Sequence, residues 1–174
     1  IPHIPIVAEG LDKKDLYMIS TTNWQPYDWS INNVALAEQL HTSLAFWQGG
    51  QFEKAFKMWE SALIGSMYLG ASPGGFEQLS FYDAMRGELY RDFADPIGMT
   101  SRTLVEGLFG IQLNALENIL TIKPGFPEKW NDADLEIPDV SFSFKRINNI
   151  DSYQIKPHFT TKMDLKLVVK IPFE

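Results

Sequence analysis

Apolar residues between positions 30 and 67 recur every three or four residues, which is the spacing of one face of an α-helix. They form two runs: Val34, Ala37, Leu40, Leu44 and Trp47, then Phe52, Ala55, Phe56, Trp59, Leu63 and Met67. Gly49 and Gly50 separate the runs, and glycine commonly ends a helix because it tolerates positive φ. The pattern predicts two amphipathic helices in an antiparallel hairpin, with Ser30 or Asn33 as the first N-cap and both tryptophans in the core.

Residues 68–96 lose the helical periodicity. A long connection between helices is indicated by four residues near the start of this stretch: Gly70, Pro73, Gly74 and Gly75. A last helical segment is predicted from about residue 99 to residue 108, with Thr100 or Ser101 near its start.

From residue 120 onward apolar residues alternate with polar ones, as in half-buried antiparallel strands. The alternating apolar residues are Leu120 and Ile122, then Val140, Phe142 and Phe144, then Tyr153 and Ile155, then Leu165, Leu167, Val169 and Ile171. Asn148-Asn149 and the segment 160–162 are typical of hairpin turns. We therefore expect an α+β chain, with helices in residues 1–118 and an antiparallel, sandwich-like sheet unit in residues 119–174 that packs against them.

Composition excludes several classes of partner. The chain has 174 residues, of which 45% are hydrophobic, and it carries a net charge of −7. Nucleic acid is not an expected partner, because Lys and Arg must neutralise its phosphates. No apolar run approaches the roughly 20 residues that cross a bilayer, so no membrane span is expected. The chain has no cysteine, which excludes disulfides and thiolate catalysis.

No metal or cofactor motif is present in the sequence. His3, His41 and His158 share no metal-ligand spacing, so we expect no metal site. The glycines of residues 70–75 lack the lysine and the preceding strand of a phosphate loop. We expect no cofactor, and the serines and histidines show no nucleophile elbow.

The segment from Asp83 to Arg102 concentrates charge, with four acidic residues and three arginines but no lysine. Arginine holds carboxylates in a planar bidentate fork, which suits a fixed and partly buried network. Within it, Glu88, Asp92 and Asp95 would share one face if helical, but a short turn lining a cleft is equally consistent with the neighbouring Gly and Pro. The segment is either part of an active site or a structural ion-pair cluster.

A second candidate lies at residues 23–29, where three aromatic residues surround a carboxylate: Trp24, Tyr27 and Trp29 around Asp28. Aromatic faces beside a carboxylate suit a sugar ring, whose C–H groups stack on them. The alternative is that these rings cover the apolar end of the first helix.

Three segments carry a family resemblance: residues 87–98 with Gly87-Glu88-Leu89-Tyr90-Arg91-Asp92, residues 101–111 ending in Gly110-Ile111, and residues 120–130 with Ile122-Lys123-Pro124-Gly125-Phe126-Pro127 and Trp130. In this order the chain resembles the C-terminal part of six-hairpin (α/α)6-barrel glycoside hydrolases, the rhamnosidase and glucoamylase-like superfamily. Uncharacterised glycoside-hydrolase-like proteins of gut bacteria are most similar. The resemblance implies the last helical hairpins of a barrel, followed by a C-terminal β-sandwich.

The resemblance also implies the chemistry. Glu88, before the last barrel helix, is the candidate general base, and Arg86 or Arg91 would keep it ionised. Tyr90 would orient the water or a sugar hydroxyl, and we expect Asp92 and Asp95 to form buried pairs with arginines. Together with the aromatic segment, the expected carbohydrate-binding residues are Trp24, Tyr27, Asp28, Trp29, Tyr90, Arg91, Asp92 and Asp95.

A six-hairpin barrel needs many more helices than the three predicted here. We therefore expect that an N-terminal part, in the same protein or as a separate chain, supplies the general acid and covers the apolar helical faces. The N-terminal residues lack a signal peptide, so the chain is expected to begin inside a longer protein, which the resemblance would place in the periplasm or outside the cell. Two other interpretations stay open: a carbohydrate-binding relative without catalysis, and a helical and β interaction domain.

Overall fold

The structure is a computed structural model that describes residues 3–11, 14–21, 34–69 and 94–169. The described residues form three α-helices and eight β-strands, which confirms the α+β class. The strands make a two-stranded ribbon and two three-stranded sheets.

The predicted helical hairpin is present as α1 (Leu36–Gln48) and α2 (Phe52–Leu63). Gly50 has φ +75° in the turn and Gly49 does not have positive φ, so a single glycine provides the left-handed residue. The N-cap of α1 is Ala35, so the expectation of Ser30 or Asn33 is wrong. The carbonyl oxygen of Ala35 accepts a hydrogen bond from Gln39 N at 3.1 Å. Ala35 is also buried, so this end of α1 lies within the core.

Both α2 and the third helix, α3 (Ala94–Arg102), continue into a π-helical turn, at Ile64–Tyr68 and Thr103–Leu108 respectively. The helix α3 begins earlier than the expected residue 99. Pro96 is buried in its first turn, where a missing N–H costs nothing because that donor has no intrahelical partner. Pro96, which in the sequence disfavours a helix, therefore lies inside α3.

The strands of the C-terminal part form two sheets. Their bounds are β3 (Ile111–Asn114), β4 (Ile119–Ile122), β5 (Asp132–Glu136), β6 (Val140–Ile147), β7 (Ile150–Pro157) and β8 (Asp164–Leu167). One sheet has the order β3-β4-β8 and the other β5-β6-β7. The remaining ribbon pairs β1 (His3–Pro5) with β2 (Tyr17–Ile19).

The expectation of a wholly antiparallel unit is wrong, because β8 pairs with β4 in parallel. The segment 160–162 is consequently no hairpin turn: the chain leaves β7 and crosses to the other sheet. Strand β8 is also exposed along its whole length, although its sequence alternates like that of a half-buried strand. The sheet region starts at β3, before residue 119, and the hairpin β3–β4 spans the expected boundary between 118 and 119.

The expected turn at Asn148-Asn149 is confirmed. Both residues have positive φ, +49° and +62°, as a two-residue type I′ turn requires. The turn joins β6 to β7 with Ile147 opposite Ile150. This fixed register determines every cross-strand pair in the hairpin.

Helices and sheets share one of the two apolar cores. Its buried members are Trp47, Ala55, Leu108, Phe109, Ile111, Leu120, Ile122, Ala133, Val140, Phe142 and Phe144. The prediction that the sheet region packs against the helices is therefore confirmed, and so is the core position of Trp47, which is 2% exposed. Trp59 is only partly buried and packs against both cores. The second core lies between α1, α2, α3 and β2.

Candidate functional site

Most of the residues expected at the active site lie outside the described ranges. These are Glu88, Trp24, Tyr27, Asp28, Trp29, Tyr90, Arg91 and Asp92. Their roles remain predictions. Asp95 is described: it is exposed in the first turn of α3, so the expectation that it forms a buried pair with an arginine is wrong.

The short chain distance between Glu88 and α3 limits how far the candidate base can lie from this helix. Pro96 and Met99 anchor this helix, since both are buried, and Met99 belongs to the core shared with α1. Glu88 precedes Ala94 by six residues, so the chain cannot carry it more than about 20 Å from the start of α3. The candidate base is thereby tethered to a fixed helix.

Two of the three segments that carry the family resemblance, 101–111 and 120–130, meet at Trp47. The indole Nε1 of Trp47, at the end of α1, donates to the carbonyl oxygen of Gly125 at 2.8 Å. A Cβ on Gly107 would lie 2.6 Å from the indole ring, and a Cβ on Gly125 would also collide with it. Both glycines therefore make room for Trp47, one from the π-helical turn after α3 and one from the segment after β4.

We call this contact of Trp47 with Gly107 and Gly125 the joint around Trp47, and backbone hydrogen bonds complete it. Gly125 N donates to Leu108 O at 3.0 Å, and Lys123 N donates to Gly110 O at 2.9 Å. Gly110 has φ +66° and a Cβ there would strike the backbone of Lys123. The Nζ of Lys123 donates to Gln48 O at 3.0 Å, which satisfies a carbonyl at the end of α1. The motif residues are thus architectural: they fix the sheets to the helices.

A groove of about 890 Å³ opens on the side of the molecule formed by the α1–α2 turn and the hairpin β6–β7. Among the described residues, its walls are residues 50–54 in the α1–α2 turn and the start of α2, the segment 124–131, residues of the hairpin β6–β7, and Val169 after β8. No local pattern in the sequence predicts this groove, because its described walls come from four separate segments.

An ion pair belongs to the polar lining of the groove. Arg146 Nε donates to Asp151 Oδ1 at 2.6 Å, and Nη2 donates to Oδ2 at 2.9 Å. Tyr153 donates its hydroxyl to the same Oδ2 at 3.3 Å, and Arg146 Nη1 donates to Glu128 O at 3.0 Å. Two side chains directly opposite on β6 and β7 are therefore held in a fixed planar geometry.

The ionisation of this group follows from its contacts. The bidentate bond from Arg146 lowers the pKa of Asp151, and the same bond raises the pKa of Arg146. Burial raises the pKa of the Tyr153 phenol, and the Asp151 charge adds to this effect. At neutral pH the group is a charged pair beside a neutral phenol.

A row of aromatic rings lies beneath the ion pair. Phe126 stacks on Phe144 with ring centroids 4.9 Å apart, and Phe144 stacks on Tyr153 at 5.5 Å. The guanidinium carbon of Arg146 lies 5.4 Å from the centre of the Phe144 ring. Phe144 is fully buried, whereas Phe126 and Tyr153 keep part of their surface exposed toward the groove.

A second polar cluster, Glu136, Ser141 and His158, contains the residue types of a hydrolase triad. The Ser141 hydroxyl lies 2.6 Å from His158 Nε2, and Glu136 Oε1 lies 3.0 Å from the same nitrogen. A triad needs the serine and the carboxylate on different ring nitrogens, because one accepts while the other donates. The hydrogen bond from Ser141, followed by His158, lowers the pKa of Glu136. The cluster therefore serves as a surface network.

Within the described ranges, no three His, Asp or Glu side chains are grouped to hold a metal ion. The helices of these ranges are all too short or too polar to cross a membrane. Comparison of the chain with protein-family models, with curated proteins and with solved structures gives no match.

Proposed function

We propose that this chain is the C-terminal part of a six-hairpin (α/α)6-barrel glycoside hydrolase, with Glu88 as the general base. The supporting observation is the joint around Trp47. The residues that carry the resemblance, Gly107, Gly110 and Gly125 among them, are the ones whose missing side chains let the sheets close on the helical hairpin.

The order of elements agrees with this proposal. After the ribbon β1–β2 come the helical hairpin, the segment with Glu88, α3 and then the two three-stranded sheets. In such a barrel α1 to α3 are the last helices, and the sheets occupy the place of the C-terminal sandwich. The other hairpins belong to the N-terminal part of the protein, which is the proposed partner of this chain.

The proposed chemistry is hydrolysis by two carboxyl groups. In an inverting enzyme a protonated acid gives its proton to the leaving oxygen, while a carboxylate roughly 6.5–9.5 Å away activates a water on the other face of the sugar. Glu88 takes the second role, and the N-terminal part supplies the acid. Arg86 or Arg91 stabilises the ionised base, and Tyr90 orients the water.

The substrate-binding residues are proposed in two groups. Trp24, Tyr27 and Trp29 stack on a sugar ring while Asp28 accepts from its hydroxyls. Arg91, Asp92 and the exposed Asp95 contact a neighbouring part of the glycan. The natural substrate is a glycan in the periplasm or outside the cell, which is where such polymers are degraded.

The test is Glu88→Gln in the complete protein, with hydrolysis followed on a panel of neutral glycans and aryl glycosides. We expect turnover to fall by about 10²–10⁴-fold while substrate binding is kept, because the amide has the same shape but cannot accept the proton of the water. Glu117→Gln is the matched control, since Glu117 lies in the turn between β3 and β4 and bonds only to Asn114 within the described residues. Full turnover in Glu88→Gln would exclude this residue as the base.

A further inference from the structure

The groove beside Arg146 presents both hydrogen-bond donors and an acceptor in a fixed arrangement. A guanidinium has five N–H groups. Three of those of Arg146 are bonded within the described ranges, to Asp151 and Glu128, which leaves one on Nη1 and one on Nη2. Asp151 accepts two of these bonds and a third from the Tyr153 hydroxyl, so its carboxylate keeps acceptor capacity. The pair therefore suits a partner whose groups both accept and donate.

The charges of the described residues that line the groove cancel. Glu53, Glu128 and Asp151 are negative, and Lys54, Lys129 and Arg146 are positive. An anionic ligand would meet three carboxylates and a cationic ligand would meet three cations, so the lining favours neither. Hydroxyl groups, which accept and donate without charge, match this lining.

The apolar part of the groove matches the same kind of ligand. Phe126 and Tyr153 are partly exposed, and each stacks on the buried Phe144. Phe126 also stacks on Trp130, with ring centroids 6.1 Å apart. Aromatic surface next to a fixed polar pair fits a molecule that has an apolar face of C–H groups and a rim of hydroxyls. The volume of about 890 Å³ accommodates more than one sugar ring.

We propose that this groove is a binding site for a neutral saccharide, separate from Glu88. Among the described residues it is formed by the α1–α2 turn and the start of α2, the segment 124–131, the hairpin β6–β7 and Val169. The C–H groups of the saccharide lie against the exposed parts of Phe126 and Tyr153. Its hydroxyls bond to the free edge of Arg146, to Asp151 and to the side-chain amide of Asn149, which also lines the groove. The site holds a glycan chain and has no catalytic step.

The experiment is an NMR titration of the full chain, labelled with ¹⁵N, with xylotriose, cellotriose and maltotriose. At least one of these should shift the backbone amides of Asn149, Tyr153 and Phe126, with a Kd of about 1 mM, the weak affinity expected of a shallow site. Trigalacturonic acid, which is anionic, should bind at least several-fold more weakly. No shift in the groove with any neutral trisaccharide at about 20 mM, well above that Kd, overturns the proposal.

The turn provides a matched pair of variants. Asn148 and Asn149 are adjacent, exposed and at positive φ, but only Asn149 lines the groove. Glycine keeps the turn at either position because it adopts positive φ freely. Asn149→Gly should raise the Kd about 5-fold, the effect of one lost hydrogen bond, and Asn148→Gly should leave it unchanged. Equal affinities in the two variants would contradict the proposed amide contact.

Two further measurements separate the alternatives. Arg146→Lys should raise the Kd at least about 10-fold, because lysine keeps the charge but loses the planar fork. A neutral tripeptide that shifts the same amides more strongly than any trisaccharide would assign the groove to peptides instead. Glu88→Gln should leave the titration unchanged, so loss of hydrolysis tests the proposed catalytic function and the groove shifts test this site independently.

Discussion

The indole Nε1 of Trp47 donates a hydrogen bond of 2.8 Å to the carbonyl oxygen of Gly125. This bond joins the last turn of α1 to the segment after β4, which is 78 residues away along the chain. The ring that makes the bond is 2% exposed and lies against Gly107. One side chain therefore links the helical hairpin, the π-helical turn after α3 and the sheets.

The close contact at Gly107 predicts a steric effect on stability. Gly107→Ala should lower the free energy of unfolding by about 1–3 kcal/mol, because its Cβ would overlap the Trp47 ring. The measurement is urea denaturation followed by tryptophan fluorescence and circular dichroism.

Gly98→Ala is the matched control for this substitution. Gly98 lies in α3, and a Cβ added there meets no atom within 4 Å. This change should stabilise the protein by about 0.5–1 kcal/mol, because alanine loses less backbone entropy in a helix. Equal effects of the two alanines would mean that helix propensity, not contact with Trp47, sets the stability at Gly107.

A second prediction concerns Gln39, which is completely buried in α1. Its Oε1 accepts from Ile19 N at 2.8 Å, and its Nε2 donates to Met58 O at 3.1 Å. Gln39→Leu should cost about 1–3 kcal/mol of stability, because it leaves the buried N–H of Ile19 without this acceptor. In hydrogen exchange the amide of Ile19 should lose protection first.

The control for Gln39 is Gln112→Leu, since Gln112 is exposed on β3. That change should alter stability by no more than about 0.5 kcal/mol. If Gln39→Leu were as stable as the wild type, apolar packing would outweigh the hydrogen bonds between α1, α2 and β2.

A third prediction is a pH dependence from Asp151. Arg146 lowers the pKa of Asp151 in the folded protein, so the unfolded chain binds a proton at higher pH than the folded one. The stability from this carboxylate is fully present above its unfolded pKa of about 4 and is lost as pH falls through the lower folded pKa. Acid should therefore weaken the hairpin β6–β7.

Asp151→Asn tests this directly. At pH 7 the variant should be less stable by about 1 kcal/mol, a small effect because the side chains of both partners keep between a quarter and a third of their surface exposed. Below about pH 3 the difference from the wild type should shrink, since protonation has already removed the charge. Glu136 titrates in both proteins and cancels in the comparison. A difference independent of pH would show that the charge of Asp151 contributes nothing.

Local elements could be predicted from the sequence because their signals are local. The spacing of Leu40, Leu44 and Trp47 requires one helical face, and the period of Phe142 and Phe144 requires a strand with one buried side. Asn148-Asn149 determined the turn, since both residues tolerate the positive φ of a type I′ hairpin.

The turn at Asn148-Asn149 also predicts which residues of β6 and β7 lie opposite each other. A two-residue loop between β6 and β7 fixes the register, and the register places Arg146 opposite Asp151. The ion pair of the groove could have been derived from the turn and the two charges alone. Its place above Phe144 and beside the α1–α2 turn could not, because those contacts join distant segments.

Tertiary structure alone decided the remaining features. The parallel pairing of β8 with β4 joins segments that are distant in the chain, and the alternation of apolar and polar residues in β8 does not specify the direction of its neighbour. Residues 94–98 are helical, ahead of the predicted start at residue 99, because the buried contacts of Pro96 and Met99 outweigh the weak local signal for a boundary. In the sequence, Gly107 and Gly125 indicate only local backbone flexibility. The structure shows that neither position has room for a side chain, because the Trp47 ring packs against both.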